Sequence, residues 1–278
     1  MSGLDFLTFA ADFSSPRFVS AYDELPLWSA MFGVLLFDEL RLSGVATALD
    51  VGCGTGFPLI ELAERLGPKA RVHGVDPWAA GLTRAREKLV ARQTANVTLH
   101  EASATAMPFA DATFDLIVSN LGLNNFDDPV GAVRECRRIT KPGATLALTT
   151  NLQGHMQEFY DIFERVLQGA GDSAAVGRLD EHIRHRATVP GVRQLLHNGG
   201  FGVTRIVERA GRMRFADGQA LFNHHFIKLG FLDAWKAVVP GHETETFARL
   251  VSRLDELGRE RGGLDLTIPM AYVEAAAT

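Results

Sequence analysis

Short apolar runs rich in β-branched residues alternate with amphipathic segments between Val45 and Thr150. The runs are typical of buried strands, and the segments between them carry apolar residues at helical spacing. The candidate strands are VATALDV, ARVHGVD, NVTLHE, FDLIVSN and ATLALTT, and the candidate helices are PLIELAERL, AAGLTRAREKLVARQ and PVGAVRECRRI. This alternation predicts an α/β fold with a doubly wound, mostly parallel sheet.

The segments on both sides of this core are also apolar or amphipathic, and no internal repeat or linker separates them from it. We therefore predict a single domain over residues 1–278. Its parts are an N-terminal helical lid (1–44), the sheet core (45–150), helical cap insertions (151–200 and 216–262) and two final strands (201–215 and 264–276), the last of them antiparallel.

Composition narrows the possible partners and location. The chain has 278 residues, of which 46% are hydrophobic, and a formal net charge of −5, so no global field attracts nucleic acid or anionic lipid. No apolar run approaches the length of a membrane span, and the first residues lack the basic flank of a signal peptide. Cys53 and Cys136 are too few and too far apart for a disulfide framework or a zinc site. We expect a cytoplasmic protein without a metal.

The sequence LDVGCGTGFP, from Leu49 to Pro58, joins the first strand to the first helix. A glycine loop that leads into a helix presents backbone N–H groups to a ligand with acceptor or anionic groups. Gly52, Gly54 and Gly56 form G-x-G-x-G, whereas a dinucleotide site has G-x-G-x-x-G. Asp50 would repel a phosphate but could balance an ammonium group. The loop therefore predicts a ligand that has a carboxylate, an amine and a nucleoside.

At this point LDVGCGTG resembles the first motif of class I S-adenosylmethionine-dependent methyltransferases. The resemblance covers about residues 45–150 and implies a Rossmann-like fold, S-adenosyl-L-methionine as cofactor and S-adenosyl-L-homocysteine as product. It implies that Asp50 lies near the methionine amine and that Asp76, in VHGVDP, holds the ribose hydroxyls. In EASATAMPF, Ser103 stands where the family usually has Asp. The cofactor-binding residues that it implies are Asp50, Gly52, Cys53, Gly54, Gly56, Asp76, Pro77, Ser103, Ala104, Asn120 and Leu121, with Cys53 as a small filler.

Within the class, GLNNFDDP is similar to the Gly-Leu-Arg-Asn segment of ubiquinone and menaquinone C-methyltransferases, and AYDELPLW is similar to their N-terminal helix. Asn124 stands where those enzymes have Arg, so their quinone-precursor substrate does not carry over to this chain. The candidate substrate-binding residues are Trp28, Asn124, Asn125 and His224.

Methyl transfer from a sulfonium is an in-line displacement, in which alignment alone supplies roughly 7–11 kcal/mol. A phenol, carboxylate or enol acceptor would also benefit from a general base. His155, shortly after the fifth strand, is the first candidate, and His225 follows it. The resemblance also implies that Tyr22 lies over the cofactor. For each of these residues a structural role in the core, or exposure to solvent, is the alternative.

Two functions remain open at this stage. The first is methyl transfer to carbon or oxygen of a small apolar or aromatic metabolite, and the second is a non-catalytic cofactor-binding protein whose helical cap is an interaction surface. The absence of an Asn-Pro-Pro-Tyr-like tetrad disfavours a nucleic-acid substrate, and a homodimer is possible. The segment from Arg178 to Arg193 is either a clamp for an acidic acceptor or a solvated helix face on which Asp180 pairs with Arg184.

Overall fold

The computed structural model describes residues 3–23 and 27–277, and its central feature is a seven-stranded sheet. The strand order is β3-β2-β1-β4-β5-β7-β6. The strands are β1 (Thr47–Val51), β2 (Arg71–Asp76), β3 (Val97–Glu101), β4 (Phe114–Asn120), β5 (Thr140–Asn151), β6 (Phe201–Phe215) and β7 (Leu264–Ala277). Strands β1 to β5 pair in parallel, and β7 pairs antiparallel with β5. The predicted doubly wound sheet with an antiparallel last strand is confirmed.

The helices between the core strands lie where the 3.6-residue periodicity predicted them, with shifts at their ends, and further helices lie on both sides of that core. They are α1 (Pro16–Asp23), α2 (Leu27–Glu39), α3 (Leu59–Leu66), α4 (Ala79–Arg92), α5 (Pro129–Ile139), α6 (Gln157–Gly169), α7 (Ser173–Arg184), α8 (Val189–Asn198), α9 (Gly218–Asn223), α10 (His225–Ile227), α11 (Asp233–Lys236) and α12 (Glu243–Arg261). A π-helical turn (Lys228–Leu232) joins α10 to α11, and short 3₁₀ turns form at Asp5–Thr8 and Gly122–Asn124. None of the helices within the described ranges is long and apolar enough to cross a membrane.

As far as its residues are described, the chain forms two compact units. The sheet unit comprises Phe13–Asn151, Ala187–Arg209 and Met270–Thr278, and the helical unit comprises Met1–Asp12, Leu152–Arg186 and Ala210–Pro269. The finer division into lid, core and cap insertions stays a prediction.

The order of the strands fixes where a ligand can bind in the sheet unit. The chain proceeds from β1 through β2 to β3 on one side and from β4 to β5 on the other, so β1 and β4 are neighbours at the topological switch point. Their register pairs Asp50 with Val118, which places the ends of both strands at the same edge. Ligands of doubly wound sheets bind at the carboxyl ends of the strands at this point.

The two N-terminal helices of the sheet unit are fixed to this edge by specific contacts. Asp23 of α1 accepts hydrogen bonds from Arg84 and Lys88 of α4 at 2.9 and 2.5 Å. Phe57 of the glycine loop packs against Gly33 of α2, where a Cβ atom would lie 2.3 Å from the ring. The N-terminal helices thus pack beside the loop that follows β1.

Candidate active site

The loop between β1 and α3 has a backbone that only glycine adopts readily. Gly52, Gly54 and Gly56 have φ values of 80°, 50° and 100°, in the region that an L-side chain strains to enter. The Gly52 and Cys53 N–H groups both donate to the Val75 carbonyl, at 2.9 and 3.2 Å. A Cβ atom added at Gly54 would meet no other atom within 4 Å. The middle of the loop therefore borders open space.

Asp50, the fourth residue of β1, is fully buried. Neither carboxylate oxygen has a hydrogen-bond partner among the described residues. Burial, and secondly the charge of Asp76, raise the pKa of Asp50 to about 8, although the nearby Leu59 N–H opposes this effect. A buried carboxyl without a partner is costly, and an ammonium group from a ligand would stabilise its ionised form. Asp50 therefore fits the methionine amine of S-adenosylmethionine.

Asp76, at the end of β2, connects the glycine loop to α4. Its Oδ2 accepts the Gly54 N–H at 2.8 Å, and its Oδ1 accepts the Trp78 N–H at 2.8 Å. Pro77 between them has no N–H to donate. Burial raises the pKa of Asp76 despite these hydrogen bonds. Each carboxylate oxygen keeps acceptor capacity, so Asp76 can bind two ribose hydroxyls as well.

Cys53 is buried between the loop and β2. A Cβ atom added at Gly74 of β2 would lie 2.9 Å from its Sγ. Burial, followed by the charges of Asp50 and Asp76, raises the pKa of the Cys53 thiol far above its ordinary value. A neutral buried thiol is inert, which supports its interpretation as a filler.

The segment after β3 forms a tight polar turn. The Ser103 hydroxyl lies 2.9 Å from that of Thr105, and the Thr105 N–H donates to Ser103 Oγ at 3.2 Å. Ser103 is exposed, whereas Ala104 is half-buried. The Ser103 side chain is therefore committed to its own turn, and contact of either residue with adenine stays a prediction.

At the end of β4, Asn120 connects three elements of the sheet unit. Its Oδ1 accepts from the Thr149 hydroxyl of β5 at 2.6 Å, and its Nδ2 donates to the Ser29 carbonyl of α2 at 3.1 Å. Leu121 follows with φ 66°, and its N–H donates to the Thr149 carbonyl. A left-handed conformation at a leucine is strained and typical of functional sites. Asn120 therefore positions the turn that ends β4.

A second polar network, which the sequence analysis missed, follows directly after that turn. Asn124 Oδ1 accepts from the Thr150 hydroxyl at 2.6 Å, and Asn124 Nδ2 donates to Asn151 Oδ1. Asn125 Nδ2 donates to the Leu121 carbonyl at 3.1 Å. Thr150 and Asn151 end β5 and are buried, although Asn124 itself is exposed. The signal that could have revealed Thr150 and Asn151 is the polar TTN sequence at the end of an otherwise apolar strand.

Tyr22 of α1 stands beside the Asp76 carboxylate. Its ring lies edge-on to Trp78 with centroids 5.2 Å apart, and the residue keeps 38% of its surface exposed. Burial, then the charge of Asp76 and that of Asp23, raise the pKa of the Tyr22 hydroxyl. The phenol is therefore neutral at neutral pH and available to contact a ligand. Trp28 is half-buried, with its ring 5.2 Å from Phe32.

The three candidate histidines all belong to the helical unit. His155 is 2% exposed, and its ring stacks on Phe231 with centroids 5.2 Å apart. Burial, then the charges of Arg186 and His182, lower the pKa of His155 to about 3. Burial also lowers the pKa values of His224 and His225. An imidazole with a pKa of about 3 is a weak base. General-base catalysis by His155 stays a prediction.

In the helical unit the expected side-chain ion pair between Asp180 and Arg184 is not formed. Arg184 Nε instead donates to the Asp180 backbone carbonyl at 3.2 Å. The two residues lie one turn apart on α7, and the Asp180 carboxylate takes no part in this contact.

The buried histidine predicts a pH dependence of stability. Because the pKa of His155 is lower in the folded state than in the unfolded chain, the unfolded chain binds the extra proton below about pH 6.5. This contribution of His155 lowers the free energy of unfolding in urea as the pH decreases from there. The free energy of unfolding of wild type relative to His155→Asn should therefore fall as the pH decreases, whereas exposed His197→Asn should keep the wild-type pH dependence. Equal slopes in all three proteins would contradict the assignment of a neutral buried imidazole.

No group of three or more His, Cys, Asp or Glu side chains within residues 3–23 and 27–277 is arranged to hold a metal ion. The candidate ligand-binding groups that the described residues do bring together are the carboxyls of Asp50 and Asp76 and the glycine loop between β1 and α3.

Comparison with known proteins agrees with this geometry. A family model described as a methyltransferase domain matches residues 49–148. A demethylmenaquinone methyltransferase of Listeria monocytogenes is 30% identical over 181 residues, which are 62% of this chain and 76% of that protein. A demethylmenaquinone methyltransferase of Geobacillus stearothermophilus is 38% identical over 124 residues, or 43% of this chain and 53% of that protein.

Solved structures share the fold. A methyltransferase of Aquifex aeolicus, described as dependent on S-adenosylmethionine, aligns with a TM-score of 0.54 and 22% identity over 69% of this chain and 92% of its own. The [4+2]-cyclase SpnF aligns with a TM-score of 0.54 and 18% identity over 89% of this chain and 80% of its own. The chain belongs to the class I S-adenosylmethionine-dependent methyltransferases.

Proposed function

We propose that this protein transfers the methyl group of S-adenosylmethionine to carbon or oxygen of a small apolar or aromatic metabolite. The observation that carries the proposal is the buried Asp50 carboxyl without a partner, beside a glycine loop that borders open space and is connected to Asp76. An ammonium group and ribose hydroxyls both bind carboxylates, and here one carboxylate precedes the loop while the other accepts a hydrogen bond from its middle.

The bound cofactor supplies an activated methyl group, so the protein's task is alignment and exclusion of water. In the proposed arrangement Asp50 pairs with the amine, Asp76 binds the ribose hydroxyls, and Tyr22 lies over the cofactor. Asn120, held by Thr149 and Ser29, fixes the end of β4. Asn124 and Asn125 are exposed at the same end and would orient the acceptor through hydrogen bonds.

The acceptor class is inferred from two facts. The two relatives compared above are named for demethylmenaquinone, which makes a quinol ring the first acceptor to test. The net charge of −5 disfavours nucleic acid as substrate. The alternative is a protein that binds the cofactor without methyl transfer, and the likeness to a [4+2]-cyclase shows that the fold alone does not decide between them.

An isotope-labelled methyl transfer assay tests the proposal. We expect label to appear on at least one member of a panel of naphthoquinols, quinols and phenols, with the atom assigned by carbon NMR. Asp76→Asn should lower kcat/KM by about 10- to 100-fold, mainly through KM for the cofactor, because a charged acceptor for the ribose is lost. Exposed Asp127→Asn serves as the control. Tight binding of S-adenosylhomocysteine with no transfer to any acceptor would favour the non-catalytic alternative.

A further inference from the structure

A partly buried polar cluster in the helical unit has no role in the cofactor site. It consists of Arg186, His182, Tyr160 and His155, which we call the Arg186 cluster. The Tyr160 hydroxyl lies 3.0 Å from His182 Nε2 and accepts the Trp235 indole N–H at 3.2 Å. Arg186 is a further hydrogen-bond partner of Tyr160. These groups therefore form one connected site within residues 152–186 and 210–269.

The positive charge in this cluster is not balanced. Nε of Arg186 is buried and has no acceptor among the described residues. No ion pair within residues 3–23 and 27–277 includes Arg186. Removing a guanidinium N–H from water without an acceptor costs free energy that a bound anion would recover. The cluster therefore favours an anionic ligand.

The geometry indicates which kind of anion fits. Guanidinium binds a carboxylate or other oxyanion side-on through Nε and a terminal nitrogen, and Nε is the atom without an acceptor. Aromatic rings pack against the cluster. The guanidinium carbon of Arg186 lies 5.7 Å from the Phe231 ring centroid, and Trp235 stacks on Phe231 with centroids 5.6 Å apart. Such walls favour a ligand with a planar apolar body.

We propose that the Arg186 cluster binds the oxyanion of an aromatic small molecule, with Arg186 as the anchoring charge. This inference concerns the helical unit alone and does not depend on the proposed function.

Binding of 2-naphthoate to the full chain, measured by titration calorimetry, tests the proposal, with 2-naphthamide as the neutral ligand of the same shape. We expect the acid to bind at least about tenfold more tightly than the amide. Arg186→Gln should weaken binding of the acid by about 10- to 100-fold and leave the amide unaffected. Arg186→Lys should retain part of the preference, since it keeps the charge. Arg184→Gln, on the exposed side of α7, should match wild type.

Two controls keep the outcomes separate. S-adenosylhomocysteine binding is measured on every sample, so a protein that binds the nucleoside but not 2-naphthoate overturns this inference and leaves the proposed function intact. A protein that binds 2-naphthoate but not S-adenosylhomocysteine overturns the proposed function and leaves this inference intact. If Arg186→Gln fails to fold, Tyr160→Phe tests the same cluster and should weaken binding of the acid about threefold or more. Equal binding of acid and amide would also overturn the inference.

Discussion

Replacing Asp50 by Asn should weaken binding of S-adenosylhomocysteine by about 10- to 100-fold at about pH 7.5. In wild type the pKa of Asp50 is about 8, so the carboxyl holds a proton at neutral pH in the absence of ligand. An ammonium group binds the ionised form, and binding therefore releases this proton. We expect the wild-type affinity to rise with pH, by up to about tenfold per unit between about pH 6 and about pH 7.5.

A carboxamide side chain cannot titrate, so Asp50→Asn should lose this slope and keep only the part that comes from the ligand's own amine. Calorimetry at several pH values measures both effects. Exposed Glu64→Gln on α3 is the matched control and should behave as wild type. Without ligand, the raised pKa also means that Asp50 contributes a fall in the free energy of unfolding as the pH rises from about 4 to about 8, and Asp50→Asn should remove this contribution. An unchanged pH slope in the variant would refute the assigned role of Asp50.

Replacing Gly54 by Ala should reduce affinity for S-adenosylhomocysteine by about tenfold or more while the protein stays folded. The φ of 50° makes alanine strained by about 1–2 kcal/mol. A Cβ atom at this position meets no protein atom within 4 Å, so it projects into the space that the ligand would occupy. The loss should therefore appear in binding more than in stability.

Substitutions at two further glycines distinguish the effect of backbone strain from that of a side chain that blocks the ligand. Gly143→Ala, in β5, has a comparable φ of 76° and an equally open neighbourhood, so it should share the strain but bind the ligand as wild type does. At Gly56 a Cβ atom would lie 3.0 Å from Ile60 and 3.3 Å from Ala85. Gly56→Ala should therefore lower the free energy of unfolding by about 2–4 kcal/mol. If Gly54→Ala and Gly143→Ala bind the ligand equally well, the open space at Gly54 is not the cofactor site.

The core of the fold was predictable because its signals are local. β4, α5 and β6 begin and end at the residues that the hydrophobic pattern predicted, and α3 begins at Leu59, one residue after the proline expected to open it. The segment from Gly218 to Val238, predicted as helical, is instead divided into α9, α10, a π-helical turn and α11. Periodicity reports which face is buried but does not detect a π-helical turn, because that turn depends on packing.

The chemical environment of the predicted residues was not local and could not be predicted. The sequence places His155 shortly after β5, but only the folded chain surrounds it with Phe231 and Arg186 and thereby lowers its pKa. In the same way, the sequence predicts Asn124 as a substrate contact without revealing that Thr150 and Asn151 already engage its amide. Each of these partners lies many residues away along the chain.

The sequence by itself determined the alternating strands and helices of the sheet core, the glycine loop and the two acidic residues Asp50 and Asp76. It could do so because strand, turn and helix signals act over a few neighbouring residues. Only the tertiary structure decided that Asp50 is buried without a partner, that Tyr22 stands beside Asp76 and that Arg186 carries an unbalanced charge. Burial and electrostatics depend on every element that packs around a side chain, and the sequence does not state which elements those are.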